Sequence, residues 1–137
     1  MREILLHGSA DETFDRSVSF ARRLAESFEA RLHVVYTVED PLSAGWTSEM
    51  SADRLPEIHQ AMETEARERL ARLIPLEDQE RLGVEIVLRT GAPIKEILAY
   101  ANENAIDLAI VQTRSDSGTD LARGLLDHAR CAVLVLR

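Results

Sequence analysis

Residues 2–7 form a short apolar run that stops at Gly8-Ser9, which predicts a strand closed by a turn. The tetrad Ser9-Ala-Asp-Glu12 has the Ser-x-x-Glu form of a capping box, so a helix is expected to start there. Phe14, Val18, Ala21, Leu24, Ala25 and Phe28 follow at helical spacing. Residues 31–38 are then β-branched and apolar, with Leu32, Val34, Tyr36 and Val38 on one face of a second strand. Between 39 and 52 the composition turns to Pro, Ser, Gly and Thr around Trp46, which predicts an irregular surface loop. Leu55, Ile58, Met62, Ala66, Leu70 and Leu73 make the apolar stripe of a second helix, with Pro56 in its first turn. Glu63 and Arg67, Glu65 and Arg69, and Glu68 and Arg72 stand four apart, a solvated ladder of weak ion pairs on the opposite face. The remaining pattern predicts strands at 84–89, 108–113 and 132–136, a helix at 94–102 and a short helix at 119–129.

Strands alternate with helices, and the strands are apolar on both faces, as in a parallel sheet covered on both sides. Right-handed crossovers then give a doubly wound, three-layer α/β fold over residues 1–137 as one domain. Ligands of such sheets sit outside the carboxyl ends of the strands where the order reverses, here around residues 7–9 and 112–118.

The 137 residues, 45% hydrophobic and 29% charged, are enough for one core of ordinary globular composition. A net charge of −8 opposes binding to nucleic acid or an anionic membrane, both of which need clustered Lys and Arg. No apolar stretch is long enough to span a bilayer. Met1 leads directly into Ile4 without an extended apolar leader, so no secretory signal is expected. The lone Cys131 forms no internal disulfide and reads as core filler, consistent with a cytoplasmic location.

Gly91-Ala-Pro-Ile-Lys-Glu-Ile, then Asp107-Leu-Ala-Ile-Val, then His128-Ala-Arg-Cys-Ala-Val-Leu-Val-Leu resemble the second half of the universal stress protein family. Phe20-Ala-Arg-Arg-Leu-Ala and Ala30-Arg-Leu-His-Val-Val-Tyr-Thr-Val-Glu-Asp-Pro are similar to its first helix and second strand, so the resemblance covers nearly the whole chain. It implies a Rossmann-like five-stranded sheet, a role in stress survival, dimerisation, and either the ATP-binding or the non-binding class. In the binding class, strand one ends in an Asp that contacts adenine, and strand four leads into Gly-x2-Gly-x9-Gly-Ser/Thr. Glycines there let main-chain N–H groups approach the phosphates, aided by the next helix start.

This chain departs from that pattern. His7 takes the Asp position, Gln112 and Ser115 take glycine positions, Gly118 alone matches, and the final Gly-Ser pair is missing from a shortened segment. Gly124 sits too early and reads as a helix-packing glycine. The degenerate nucleotide-site positions are His7, Gly8, Ser9, Val38, Gln112, Thr113, Ser115 and Gly118, with Val38 bordering the family's adenine pocket. The expectation is a non-catalytic stress protein without ATP or other cofactor in the usual loop. The alternative is an adenine-nucleotide sensor, for ATP or a relative, with a reshaped site. Ser115, Ser117, Gly118 and Thr119 offer donors to a smaller anion, against a plain polar loop.

His7-Gly-Ser-Ala-Asp11 also resembles the His-Gly-Ser-x-Asp segment of small tetrapyrrole chelatases. A chelatase needs a second placed ligand, and His33, His59 and His128 fall in a strand, the second helix and the end of the last helix. No metal site is expected. Receiver, His-x-Gly-His nucleotidyltransferase and flavin patterns fail on Arg89-Thr90, Ala10 and the acidic Ser9-Ala-Asp-Glu stretch. No Ser-His-Asp order or Cys-His pair stands at catalytic spacing, so no enzyme is expected. Trp46 is either a contact residue or a fold-back over the domain edge. His33 carries no assigned chemistry. The last strand is an apolar edge that needs a partner, and the resemblance implies a two-fold homodimer through Val133, Leu134 and Val135. Other protein partners fit the same reading.

Overall fold

The computed structural model describes residues 1–9, 12–38, 48–113 and 118–137. Its elements are β1 (Glu3–His7), α1 (Thr13–Phe28), β2 (Arg31–Val38), α2 (Ser48–Leu73), α3 (Leu76–Arg81), β3 (Glu85–Thr90), α4 (Pro93–Glu103), β4 (Leu108–Gln112), α5 (Gly118–His128) and β5 (Ala132–Leu136). All strand pairs are parallel, in the order β3-β2-β1-β4-β5. The chain steps outward from β1 to β3, then crosses to β4 on the other side. The order therefore reverses between β1 and β4.

Strand alternation divides the core in two. Ile4, Leu6, Leu32, Val34 and Ile110 face α1 and α2, packing with Phe14, Val18 and Leu70. Leu5, Val35, Ala109 and Val111 face α4 and α5, packing with Ile97, Leu121 and Leu125. No described helix is long and apolar enough to cross a membrane.

Asp107, just before β4, fastens the start of β1. One carboxylate oxygen accepts hydrogen bonds from the main-chain N–H of Arg2 and Glu3 at 2.8 and 3.0 Å. These donors hold the Asp107 carboxyl below its ordinary value. At the same end of the sheet His33, 2% exposed, places Nδ1 2.7 Å from the Tyr100 hydroxyl and Nε2 3.1 Å from a Glu3 carboxylate oxygen. This cluster satisfies a buried imidazole far from the carboxyl tips of the strands.

Several local expectations are corrected. The first helix starts later than the Ser9-x-x-Glu12 box predicts: Glu12, not Ser9, is the N-cap of α1, with helical backbone and no side-chain cap bond of its own. At the other end Glu29 adopts φ 53°, and Ala30 N–H reaches the Ala25 carbonyl at 2.9 Å, closing the helix by a left-handed turn. Helix α2 begins at Ser48, so residues 48–52 are helical rather than loop and Pro56 is interior rather than in the first turn. Trp46 and the rest of that predicted loop lie outside the described residues. Helix α3 was not expected. It buries no residue and is held by Pro75 at its N-cap, the Gln79 amide on the Ile74 carbonyl and an Arg22–Asp78 ion pair of 2.6 Å.

Candidate functional site

The carboxyl tips of β1 and β2 sit beside the middle of α2, and a cleft of about 260 Å³ opens between them. Gly8, Ser9, Tyr36 and Thr37 line it from the strand tips, while Met62 and Arg69 line it from α2. Gly8 continues β1 by donating its N–H to the Val35 carbonyl at 2.8 Å. A Cβ at Gly8 would lie 2.6–2.7 Å from three carbons of the Tyr36 ring. The absent side chain is therefore what lets that ring lie flat on the β1 tip.

Tyr36 is 8% exposed and its ring meets Phe14 at a centroid distance of 5.9 Å and a tilt of 49°. Phe14 in turn carries the Arg69 guanidinium, 5.3 Å from its centroid, and Asp15 pairs with Arg69 at 2.8 Å. Burial pushes the Tyr36 hydroxyl up to about 12, with Arg69 opposing and Glu65 reinforcing the rise. A folded value above the unfolded one means stability is intact below about pH 10 and falls as the pH climbs through 12. Alkaline unfolding followed by circular dichroism should therefore steepen over that window, and Tyr36→Phe should flatten it.

The sequence-derived positions fall as follows. His7 and Gly8 are buried at the β1 tip, and Ser9 is half-buried beside them. Strand alternation puts His7 on the Leu5 face, opposite to Tyr36. Val38 ends β2, paired with Thr90, and does not line the cleft. Gln112 ends β4 and is 8% exposed; its amide donates to the Thr13 carbonyl at 2.9 Å. A side chain thus spans the crevice between β4 and the first turn of α1, at the point where strand order reverses. Thr113 donates its N–H to the Leu136 carbonyl at 2.9 Å, which ties the β4 tip to the end of β5. Gly118 opens α5, and Ser115 lies outside the described residues.

Of the predicted positions that are described, the cleft gathers Gly8 and Ser9 but not His7, Val38, Gln112 or Thr113. Tyr36, Thr37, Met62 and Arg69 were missed. Their signal in sequence is ordinary, since Met62 sits in a helical stripe and Arg69 in a charge ladder. Among the described residues no group of three His, Cys, Asp or Glu side chains could hold a metal. Gly124 packs against Ile94, three of whose carbons lie within 2.9 Å of where a Cβ would stand, as expected of a packing glycine.

An all-parallel sheet with one order reversal and a cleft at the strand tips defines a Rossmann-like α/β domain. The chain belongs to the universal stress protein family, whose family model matches residues 2–137. It is 20% identical to a universal stress protein of Methanocaldococcus jannaschii, over 99% of this chain and 82% of that one. Among solved structures it is similar to a universal stress protein of Lactobacillus plantarum, with a TM-score of 0.73 at 21% identity, covering 99% of this chain and 97% of that one. It is also similar to the Archaeoglobus fulgidus universal stress protein in complex with dAMP, with a TM-score of 0.61 at 18% identity, covering 100% of this chain and 98% of that one.

Proposed function

We propose that this protein is a non-catalytic, cytoplasmic stress-response protein that works as a homodimer and does not bind ATP through the family's usual glycine loop. The observation that carries this reading is Gln112. Where the loop's chemistry needs bare backbone, its side chain reaches the Thr13 carbonyl and occupies the crevice at the order reversal. His7 in place of an adenine-contacting Asp points the same way, as does the missing Gly-Ser pair. Titration calorimetry with ATP should give no saturable heat in the micromolar range. Micromolar binding with contacts from Gln112 or Thr113 would end the proposal.

A second reading, an adenine-nucleotide sensor with a reshaped site, is favoured by the cleft at the β1 and β2 tips and by the dAMP bound to the Archaeoglobus relative. Mass spectrometry of ligands released from freshly purified protein separates the two: a stoichiometric adenine nucleotide supports the sensor.

The dimer proposal rests on β5. Among the described residues it pairs only with β4, so its outer main-chain edge has no strand beside it there. Val133, Leu134 and Val135 are half-buried there. Leu134→Lys should give monomer or insoluble protein by light scattering, and a soluble, folded, unchanged dimer would remove β5 as the interface.

A further inference from the structure

Helix α3 is six residues long, well short of the roughly 12–15 at which an isolated helix becomes even marginal in water, so its structure depends on its neighbours. It buries no residue, and Leu76 at its start is 68% exposed. Apolar packing therefore does not hold it. The chain is anchored on either side instead, by the fully buried Ile74 and by Leu82, with Pro75 at one boundary and Gly83, at φ 59°, at the other.

Between those anchors, α3 is joined to α1 by four charged side chains. Arg22 of α1 donates to one Asp78 carboxylate oxygen at 2.6 Å and to the Leu73 carbonyl at 3.4 Å. Arg81 donates to the other Asp78 oxygen at 3.1 Å and to Glu26 at 3.0 Å, and Glu26 also accepts from Arg22 at 3.2 Å. Each carboxylate thus takes both guanidinium groups, which closes a ring of alternating charge across the two helices. These bonds hold the Glu26 carboxyl below its ordinary value, chiefly through Arg81, and the Arg81 guanidinium above its own, chiefly through Asp78. The four side chains are 25–54% exposed, so dissolved ions reach them. Screening shortens the range of such charges from about 10 Å at 0.1 M salt to about 3 Å at 1 M.

We propose that α3 is an ionic strap, closed at low salt and released, with the rest of the fold intact, when ionic strength rises. Leu76, Gln79 and Glu80 form one wall of a groove against Arg31, Val84 and Glu85, so release changes the surface at the amino ends of β2 and β3. This gives a stress-response protein a direct response to dissolved salt. It depends neither on the glycine loop nor on β5.

The test is amide hydrogen exchange of isotope-labelled protein, followed by NMR at constant pH in about 0.05 and 1 M NaCl. The amides of Gln79, Leu82 and Val84 report the strap, since they donate to the Pro75, Asp78 and Gln79 carbonyls. Their protection should fall about tenfold or more at the higher salt, the order expected when several weak pairs are screened together, while amides of the central strands β1 and β4 change less than about twofold. Sucrose at the same osmolality should leave the strap protected. Asp78→Asn, which removes the carboxylate that Arg22 and Arg81 share, should bring the low-salt protection to the high-salt level and abolish the response. Arg81→Gln keeps Arg22 on Asp78 and should fall between. Salt-independent protection of the strap, an equal loss in β1 and β4, an equal loss in sucrose, or an unchanged salt response in Asp78→Asn each overturns the proposal. None of these outcomes alters the ATP titration or the Leu134→Lys result, so the proposed function stands or falls separately.

Discussion

Replacing Phe14 with alanine should lower the unfolding free energy by about 3–5 kcal/mol, the usual cost of emptying a fully buried aromatic site. Phe14 is 0% exposed and supports two neighbours at once, the Tyr36 ring and the Arg69 guanidinium. Its removal leaves a cavity under the cleft wall, and the surrounding parallel strands cannot collapse into it without breaking their pairing. A domain of this size is stable by only about 5–15 kcal/mol, so urea denaturation should show a large fall in midpoint. Phe14→Leu, which keeps most of the volume, should recover the greater part of the loss.

Gly8→Ala should cost about 1–3 kcal/mol by overpacking. The added methyl would sit 2.6–2.7 Å from three carbons of the Tyr36 ring, which is buried and packs on Phe14, so the ring must shift toward the cleft and give up part of that packing. The mechanism has a specific signature. In a double-mutant cycle with Tyr36→Ala the penalty should shrink, because the shortened side chain removes the clash. Additive losses in thermal denaturation would mean that Gly8 matters through its backbone rather than through the ring.

Much of the fold was legible because periodicity is local. All five strands and helices α4 and α5 lie within a residue or two of where alternation and spacing put them, the cap of α1 falls three residues later than expected, at Glu12 rather than Ser9, and the universal stress protein family model matches residues 2–137. The misses have physical causes. Residues 48–52, Ser-Glu-Met-Ser-Ala, include three good helix formers but adjoin the Pro-, Gly- and Thr-bearing stretch before them, and α2 runs through them and through Pro56, with its later turns packing Ala66 and Leu70 into the core. Helix α3 presents no buried face, so it leaves no amphipathic stripe to read. The cleft was invisible for another reason. Tyr36, Met62 and Arg69 come together only through tertiary packing, and each looks unremarkable in its own segment. Gln112 stands in the sequence as a departure from the family's glycine pattern, but that its amide would reach the Thr13 carbonyl could not be known from one dimension.

The Asp107 clasp on Arg2 and Glu3 joins positions 105 and 104 residues apart. Strand β1 is central, flanked by β2 early in the chain and by β4 late in it. A nascent chain emerging amino end first therefore exposes half of its innermost strand until the segment beyond residue 107 has left the ribosome. Such long-range closure is slow, and the waiting edge is a target for chaperones and for mispairing. Translation arrest before β4 should consequently yield protease-sensitive fragments, whereas the finished chain snaps shut in one cooperative step.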